Sequence, residues 1–218
     1  MTDKRQADQS PVSDEVTTSS IAIVLLAAGT GRRMGDRHAH KLLADFDGMP
    51  LVRRLVNVAL SCGAAPMVVV IGHRHNEISN ALNGLGLTVV YNPDFETGMA
   101  SSLRAGYATP GVRDASGVLV LLADMPAITT GHLLALMNAF VASEGKAIVR
   151  AASEQGPGNP VILPRSLDRA IMNLQGDVGA RHVIAASAIP IIDVDIGAAA
   201  HLDVDTPQQL EAAGGRLT

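Results

Sequence analysis

The chain has 218 residues and a formal net charge of −4, with 47% hydrophobic and only 2% aromatic residues. This composition is enough for one domain with an aliphatic core, and it argues against a general nucleic-acid binder, which needs a basic surface or stacking aromatic side chains. The single cysteine, Cys62, excludes an intramolecular disulfide and a cysteine-cluster metal site.

The first segment, residues 1–20, is rich in Asp, Gln, Ser and Thr, which predicts a disordered tail. It lacks the apolar core of a signal peptide. No later apolar run approaches the roughly 18 residues of a membrane span. We therefore expect a cytoplasmic protein with no membrane partner and one folded domain over residues 21–218.

Short apolar runs alternate with amphipathic stretches along the rest of the chain. The apolar runs predict strands at 21–27, 67–71, 87–91, 118–123, 147–150, 161–163 and 189–194. The amphipathic stretches predict helices at 50–60, 76–82, 101–107, 131–141, 167–173 and 180–186. Near the end, Thr206, Pro207 and Gln209 predict the capping box of a last helix. This alternation predicts a three-layer α/β/α fold with a mostly parallel, Rossmann-like sheet.

A glycine-rich basic loop follows the first predicted strand. Gly29, Gly31 and Gly35 allow backbone N–H groups to approach an anion, and Arg32 and Arg33 add positive charge. Lys41 comes shortly afterwards. Because ligands of such sheets bind beyond the carboxyl ends of the strands, we interpret this loop as a triphosphate site. The alternative is a glycine-rich turn with solvated arginines.

Two other phosphate-binding loops fit this spacing poorly. A Walker A loop ends in Gly-Lys-Ser/Thr, whereas this loop ends in Arg33-Met34-Gly35. A dinucleotide fingerprint requires glycine where Met34 stands, and an acidic residue after the second strand, where the chain has Gly72-His73. A dinucleotide-dependent oxidoreductase is therefore disfavoured.

Carboxylates stand at the same predicted edge of the sheet. Asp124 directly follows the buried strand 118–123, and Mg²⁺ prefers carboxylate oxygens together with substrate phosphates. The alternative for Asp124 is a residue that begins a loop or caps a helix. Asp203 and Asp205 alternate along a segment predicted to be extended, so we expect only one to face a metal and the other to face solvent.

Two pairs of histidines invite a metal-binding interpretation. His38 and His40 lie in the basic loop, and His73 and His75 follow the second strand. Two ligands in each pair are too few for a metal centre, so solvated loops are the favoured interpretation.

A wider pattern covers most of the chain. Its segments are 26–35 (LAAGTGRRMG), 41–43 (KLL), 92–93 (NP), 98–106 (GMASSLRAG), 122–126 (LADMP), 158–160 (GNP), 176–181 (GDVGAR) and 203–207 (DVDTP). Together they resemble the molybdenum cofactor cytidylyltransferase family, within the nucleotidyltransferases that carry a Leu-Ala-Ala-Gly or Leu-Ala-Gly-Gly loop. The resemblance implies transfer of CMP from CTP to the terminal phosphate of molybdenum-bearing molybdopterin. Pyrophosphate and molybdopterin cytosine dinucleotide would be the products, and a client molybdenum hydroxylase would receive the dinucleotide.

The resemblance also implies roles for individual residues. Ala28 marks the cytidine version of the loop. The implied nucleotide-binding residues are Leu26, Ala27, Ala28, Gly29, Thr30, Gly31, Arg33, Lys41, Ser102 and Asp124. The implied catalytic residues are Arg33, Lys41 and Asp124, and the implied Mg²⁺ ligands are Asp124 and Asp205. Asn159, Asp177 and Arg181 are implied on the acceptor side.

Two other functions remain open from the residues alone. The chain could be a nucleotidyltransferase with another acceptor, such as a sugar or alcohol phosphate, or with GTP. It could also be a non-catalytic carrier of molybdopterin or nucleotide. A carrier would not need a metal-binding pair, so Asp124 and Asp205 favour the enzyme.

Overall fold

The computed structural model describes residues 20–31, 34 and 40–217. The predicted tail, apart from Ser20, lies outside the described residues. Within the described residues, the strands are β1 (Ile21–Ala27), β2 (Asp45–Phe46), β3 (Met49–Pro50), β4 (Met67–Ile71), β5 (Thr88–Tyr91), β6 (Gly117–Leu122), β7 (Ile148–Ser153), β8 (Gly156–Pro164) and β9 (Ile191–Asp195). The helices are α1 (Leu51–Leu60), α2 (His75–Ala81), α3 (Met99–Tyr107), α4 (Pro110–Arg113), α5 (Thr130–Ala142), α6 (Asp168–Met172), α7 (Ala180–Ala186) and α8 (Pro207–Ala212).

Seven of these strands form one sheet in the order β5-β4-β1-β6-β8-β7-β9. Strand β8 is antiparallel to β6 and β7, and the other neighbouring pairs are parallel. Only two residues join β7 to β8, whereas a parallel crossover needs a dozen or more, so β8 must turn back as a hairpin. The predicted mostly parallel α/β fold is confirmed.

The centre of the sheet is buried on both faces. Ile23 and Leu25 of β1 belong to one apolar cluster that includes side chains of α1 and α5. Ala22 and Val24, which alternate with them, belong to a second cluster that includes side chains of α3, α6 and α7. Two covered faces explain why β1 is a continuous apolar run rather than an alternating one.

Three short elements have no counterpart in the sequence prediction. Strands β2 and β3 form a separate two-stranded sheet, and helix α4 has only four residues. Elements this short contain too few residues for a periodic pattern to appear. Strand β8 is also longer than the predicted segment 161–163, because its first half pairs with β7 and carries prolines and glycines rather than an apolar run.

The small sheet anchors the surroundings of the basic loop. Phe46 of β2 packs in a third cluster with Met34, Val204 and Leu210. The cluster therefore joins the loop after β1 to the C-terminal segment and α8. The predicted capping box of α8 is confirmed, since Thr206 Oγ1 accepts a hydrogen bond from the Gln209 N–H at 3.2 Å, and Gln209 Oε1 accepts one from the Thr206 N–H at 3.0 Å.

The helices within residues 20–31, 34 and 40–217 include none that is both long and apolar enough to cross a bilayer.

Gly117, at the start of β6, lies under the ring of Phe140. A Cβ atom at Gly117 would stand 2.3 Å from Phe140 Cζ. We expect Gly117→Ala to lower the free energy of unfolding by about 1–3 kcal/mol, because the ring must move in a packed core. The control is Gly86→Ala, where nothing lies within 4 Å, and we expect it to change stability by less than about 0.5 kcal/mol. Urea unfolding measures both, and equal midpoints would contradict the expectation.

Candidate functional site

The carboxyl ends of the parallel strands β1, β4 and β6 meet at one edge of the sheet, where a cavity of about 520 Å³ opens. We call it the first cavity. The predicted site residues that line it are Leu26, Ala28, Gly29, Thr30, Gly31, Lys41, Ser102, Asp124, Asp177 and Asp205. Ala27 is buried in the core instead, and Arg33 lies outside the described residues.

Lys41 connects three parts of the chain at this edge. It begins a short 3₁₀ turn after the basic loop and is only 8% exposed. Its Nζ donates to Asp124 Oδ2 at 2.6 Å and to Asp205 Oδ1 at 2.8 Å. Burial alone would lower the pKa of Lys41, but the two carboxylates, Asp124 first, outweigh it and raise the pKa. The lysine is therefore a charged group at neutral pH.

The two carboxylates also fit a divalent cation. Both reach the same Lys41 Nζ, so they are close enough to share one cation. The second oxygen of Asp124, Oδ1, is buried and has no hydrogen-bond partner among the described residues. In that part of the chain no group of three or more His, Cys, Asp or Glu residues is arranged to hold a metal. A hard cation here would therefore take further oxygens from water and substrate phosphates.

Asp203 is an exposed residue, as expected for the carboxylate that does not face the metal, but it still hydrogen-bonds to Asp205. Residues 202–205 belong to no strand or helix, and the Asp203 N–H donates to the carbonyl of His201 at 3.1 Å. Burial raises the pKa of the Asp203 carboxyl, and so do the charges of Asp205 and Asp124 and a hydrogen bond with Asp205. The three carboxylates therefore influence one another, and Lys41 contacts two of them, Asp124 and Asp205.

Two glycines allow close packing around the part of the first cavity that Ala28 and Phe95 line. Gly72 follows β4, and a Cβ there would stand 2.6 Å from Phe95 and 2.9 Å from the Ala28 side chain. Gly98, before α3, has φ of +115°, and a Cβ there would stand 2.5 Å from the carbonyl oxygen of Gly176. Phe95 and Gly98 both line the cavity beside Ala28. The sequence singled out neither Phe95 nor its contact with the loop, because the two are brought together only across the sheet edge.

The three residues implied on the acceptor side do not lie together. Asp177 is at the first cavity, where its Oδ1 accepts a hydrogen bond from the Met99 N–H at 3.3 Å. Asn159 and Arg181 line a second cavity, of about 230 Å³. The two cavities share Met99 and Leu122, so they are adjacent spaces along one groove.

His40 is not in a solvated loop, so that interpretation is wrong for this residue. It is 4% exposed, and its ring stacks on that of His73 with 5.6 Å between centroids. Burial, followed by the neighbouring His73 and Arg74, lowers the pKa of His40 to about 4. His75 packs its ring against Tyr91 at 4.5 Å, and His38 lies outside the described residues.

A family model of the MobA-like NTP transferase domain matches residues 23–191. Nicotine blue oxidoreductase of Paenarthrobacter nicotinovorans is 29% identical over 194 residues, covering 86% of this chain and 93% of that protein. The crystal structure of Rv0371c from Mycobacterium tuberculosis H37Rv superposes with a TM-score of 0.78 and 25% identity, covering 91% and 98% of the two chains. A manganese complex of Rv0371c has a TM-score of 0.71, at 23% identity and 89% and 98% coverage.

The fold also matches a nucleotidyl transferase from Methanothermobacter thermautotroptrophicus, with a TM-score of 0.73 at 22% identity, covering 89% of this chain and 96% of that one. These structures share the fold described above.

The buried His40 predicts a pH dependence of stability. In the unfolded chain it takes up a proton near its ordinary pKa of 6.5, but in the folded protein only near 4. The unfolded state therefore binds more protons between these values, and stability falls as pH falls through that window. Between pH 7.5 and 4.5 we expect wild type to lose about 2–3 kcal/mol more than His40→Phe, which keeps a ring but cannot titrate. Urea unfolding at both pH values measures this, and equal losses would contradict it.

Proposed function

The chain belongs to the family of MobA-like NTP transferase domains, and we propose that it transfers CMP from CTP to the terminal phosphate of molybdenum-bearing molybdopterin. The observation that carries nucleotidyl transfer is the contact of Lys41 with Asp124 and Asp205 beside a glycine-rich loop. The choice of CTP and molybdopterin is supported by the resemblance of segments 26–35, 98–106 and 176–181.

The proposed reaction is an in-line displacement at the α-phosphorus of CTP. An oxygen of the acceptor phosphate forms the new bond to phosphorus, and the bond to the oxygen that bridges the α- and β-phosphates breaks. Pyrophosphate leaves with the electron pair of that bond. Because the attacking oxygen is already anionic, the reaction requires no general base.

The physical difficulty is the approach of two anions. Mg²⁺ held by Asp124 and Asp205 would neutralise part of the triphosphate charge and polarise the reacting phosphate. A structure of the related Rv0371c is a complex with manganese, which supports the proposal of a divalent cation. With Asp124 and Asp205 holding the metal, Lys41 would donate to phosphate oxygens, and Arg33 in the basic loop is proposed to assist it.

The second cavity is the proposed site of the acceptor. Its walls include Leu103, Val161 and Ile184, which suit the body of an organic molecule. Arg181 also lines it, and its guanidinium makes no hydrogen bond or ion pair with any residue in the described ranges, so its charge is available to an anionic group. We propose that Asn159 and Arg181 contact the acceptor there, and that the product passes to a client molybdenum hydroxylase.

Incubation with molybdenum-bearing molybdopterin, Mg²⁺ and each of the four NTPs tests the proposal through pyrophosphate release. We expect release with CTP, and a loss of about 10²–10³ in rate for Asp124→Asn, because a metal ligand is removed. The matched control is Asp47→Asn, whose carboxylate is 91% exposed, and it should retain the wild-type rate. Pyrophosphate release by Asp124→Asn at the wild-type rate would contradict the metal role.

The same assay separates the alternatives for the acceptor. Release only with a sugar or alcohol phosphate would identify another transferase. Binding of molybdopterin or nucleotide without release from any NTP would identify a carrier.

Ala28 is the proposed determinant of base choice. Its methyl group lies at the wall of the first cavity, near Phe95. For Ala28→Gly we expect a partial loss of the preference for CTP over GTP, because the wall gains room for a larger base. The ratio of kcat/KM for the two nucleotides measures this, and an unchanged ratio would remove the proposed role of Ala28.

An oxidoreductase is the second candidate, and the observation that favours it is the 86% of the chain matched by nicotine blue oxidoreductase. Met34 and the absence of an acidic residue at Gly72-His73 speak against a dinucleotide loop. A fluorescence titration with NADH and NADPH separates the two candidates, since micromolar binding of either cofactor with no NTP binding would support the oxidoreductase.

A further inference from the structure

A small buried cluster of polar side chains lies behind the wall of the first cavity. Asn92 directly follows β5, and Ser101 and Ser102 lie in the first half of α3. The three residues are 4%, 5% and 5% exposed. Of the three, Ser102 alone lines the cavity. The cluster therefore connects an interior amide to one hydroxyl that faces the proposed nucleotide.

The amide of Asn92 is held in one orientation. Its Oδ1 accepts a hydrogen bond from the backbone N–H of Asp94 at 3.0 Å, which identifies the other amide atom as the nitrogen. That nitrogen, Nδ2, donates to Ser101 Oγ at 2.8 Å and to Ser102 Oγ at 3.0 Å. An amide nitrogen has two hydrogens, so both are used.

The two serine hydroxyls differ in whether the described residues supply an acceptor for the hydroxyl hydrogen. Ser101 Oγ lies 2.9 Å from the carbonyl oxygens of Asp94 and Gly98, so its hydrogen has an acceptor inside the protein. Ser102 Oγ already accepts from Asn92, and its own hydrogen has no acceptor within residues 20–31, 34 and 40–217. A buried hydroxyl that donates to nothing costs free energy until a ligand supplies the acceptor.

We infer that Asn92 is a positioning residue that directs the Ser102 hydroxyl as a hydrogen-bond donor into the first cavity. The inference rests on the proposed function and adds a chemical requirement to it. The nucleotide must present an acceptor atom to Ser102, such as a carbonyl oxygen of a pyrimidine base. Asn92 itself touches no substrate, and its effect passes through Ser102.

The variant Asn92→Asp tests the direction of the hydrogen bond between Asn92 and Ser102, because the two side chains at position 92 have almost the same shape. One carboxylate oxygen still accepts from the Asp94 N–H, but the other cannot donate and instead accepts the Ser102 hydrogen. We expect the affinity for CTP in the presence of Mg²⁺, measured by calorimetry on the full chain, to fall about tenfold. The single-turnover rate at saturating CTP should stay within about twofold of wild type, because the reacting phosphates are untouched.

A double-mutant cycle distinguishes positioning from a general loss of structure. Ser102→Ala should lose CTP affinity to a similar extent, and adding Asn92→Asp to it should cause no further loss, because Asn92 acts through Ser102. The inference is overturned if the loss of CTP affinity in the double variant equals the product of the two single-variant losses. It is also overturned if Asn92→Asp binds CTP as tightly as wild type. If that variant does not fold, Asn92→Ala replaces it in the same cycle, with a smaller expected loss because the hydroxyl is then free to rotate.

The matched control is Ser101→Ala, in the same cluster. Its hydroxyl donates to backbone rather than toward the cavity, so we expect a lower Tm with CTP affinity within about twofold of wild type. A tenfold loss in this variant would overturn the inference by showing that the whole cluster acts structurally. If the wild-type protein binds none of the four NTPs, the proposed function fails. If it binds CTP and Asn92→Asp binds it equally, only the role of Asn92 fails.

Discussion

The hydrogen bonds from Lys41 to Asp124 and Asp205 are the contact on which the geometry of the sheet edge depends. They join the loop after β1, the end of β6 and the segment before α8, which are distant in sequence. The side chains of all three residues are at least three-quarters buried, so each charge needs the others. Loss of one partner from a buried ion pair costs about 3–5 kcal/mol, because an uncompensated charge remains.

The same contact explains why this edge suits a metal-bound triphosphate. One lysine faces Asp124 and Asp205, and Asp203 lies near both. The local excess of negative charge favours a second cation, and Asp124 Oδ1 offers it a buried oxygen without a partner in the described part of the chain. A divalent ion that arrives with a nucleotide would satisfy the carboxylates and leave Lys41 to the phosphates.

Contacts of the backbone around α3 fix the position of the first cavity relative to the second. Gly98 approaches the Gly176 carbonyl so closely that no side chain fits, and Asp177 accepts from the first N–H of α3. Met99 then borders both cavities. Helix α3 therefore carries Ser102 toward one cavity and Leu103 toward the other, and a shift of this helix would change both together.

The sequence by itself determined the fold class, the phosphate-type loop and the carboxylate after β6. Each follows from a local pattern, since a buried parallel strand is a continuous apolar run and its last residue lies at the ligand-binding edge. Only the tertiary structure decided that Lys41 bridges Asp124 and Asp205, that Asp203 hydrogen-bonds to Asp205, and that His40 is buried against His73. It also decided that the Asn92 amide donates a hydrogen bond to Ser102. These contacts depend on how separate segments meet across the sheet edge, and no spacing along the chain records the direction of a hydrogen bond between them.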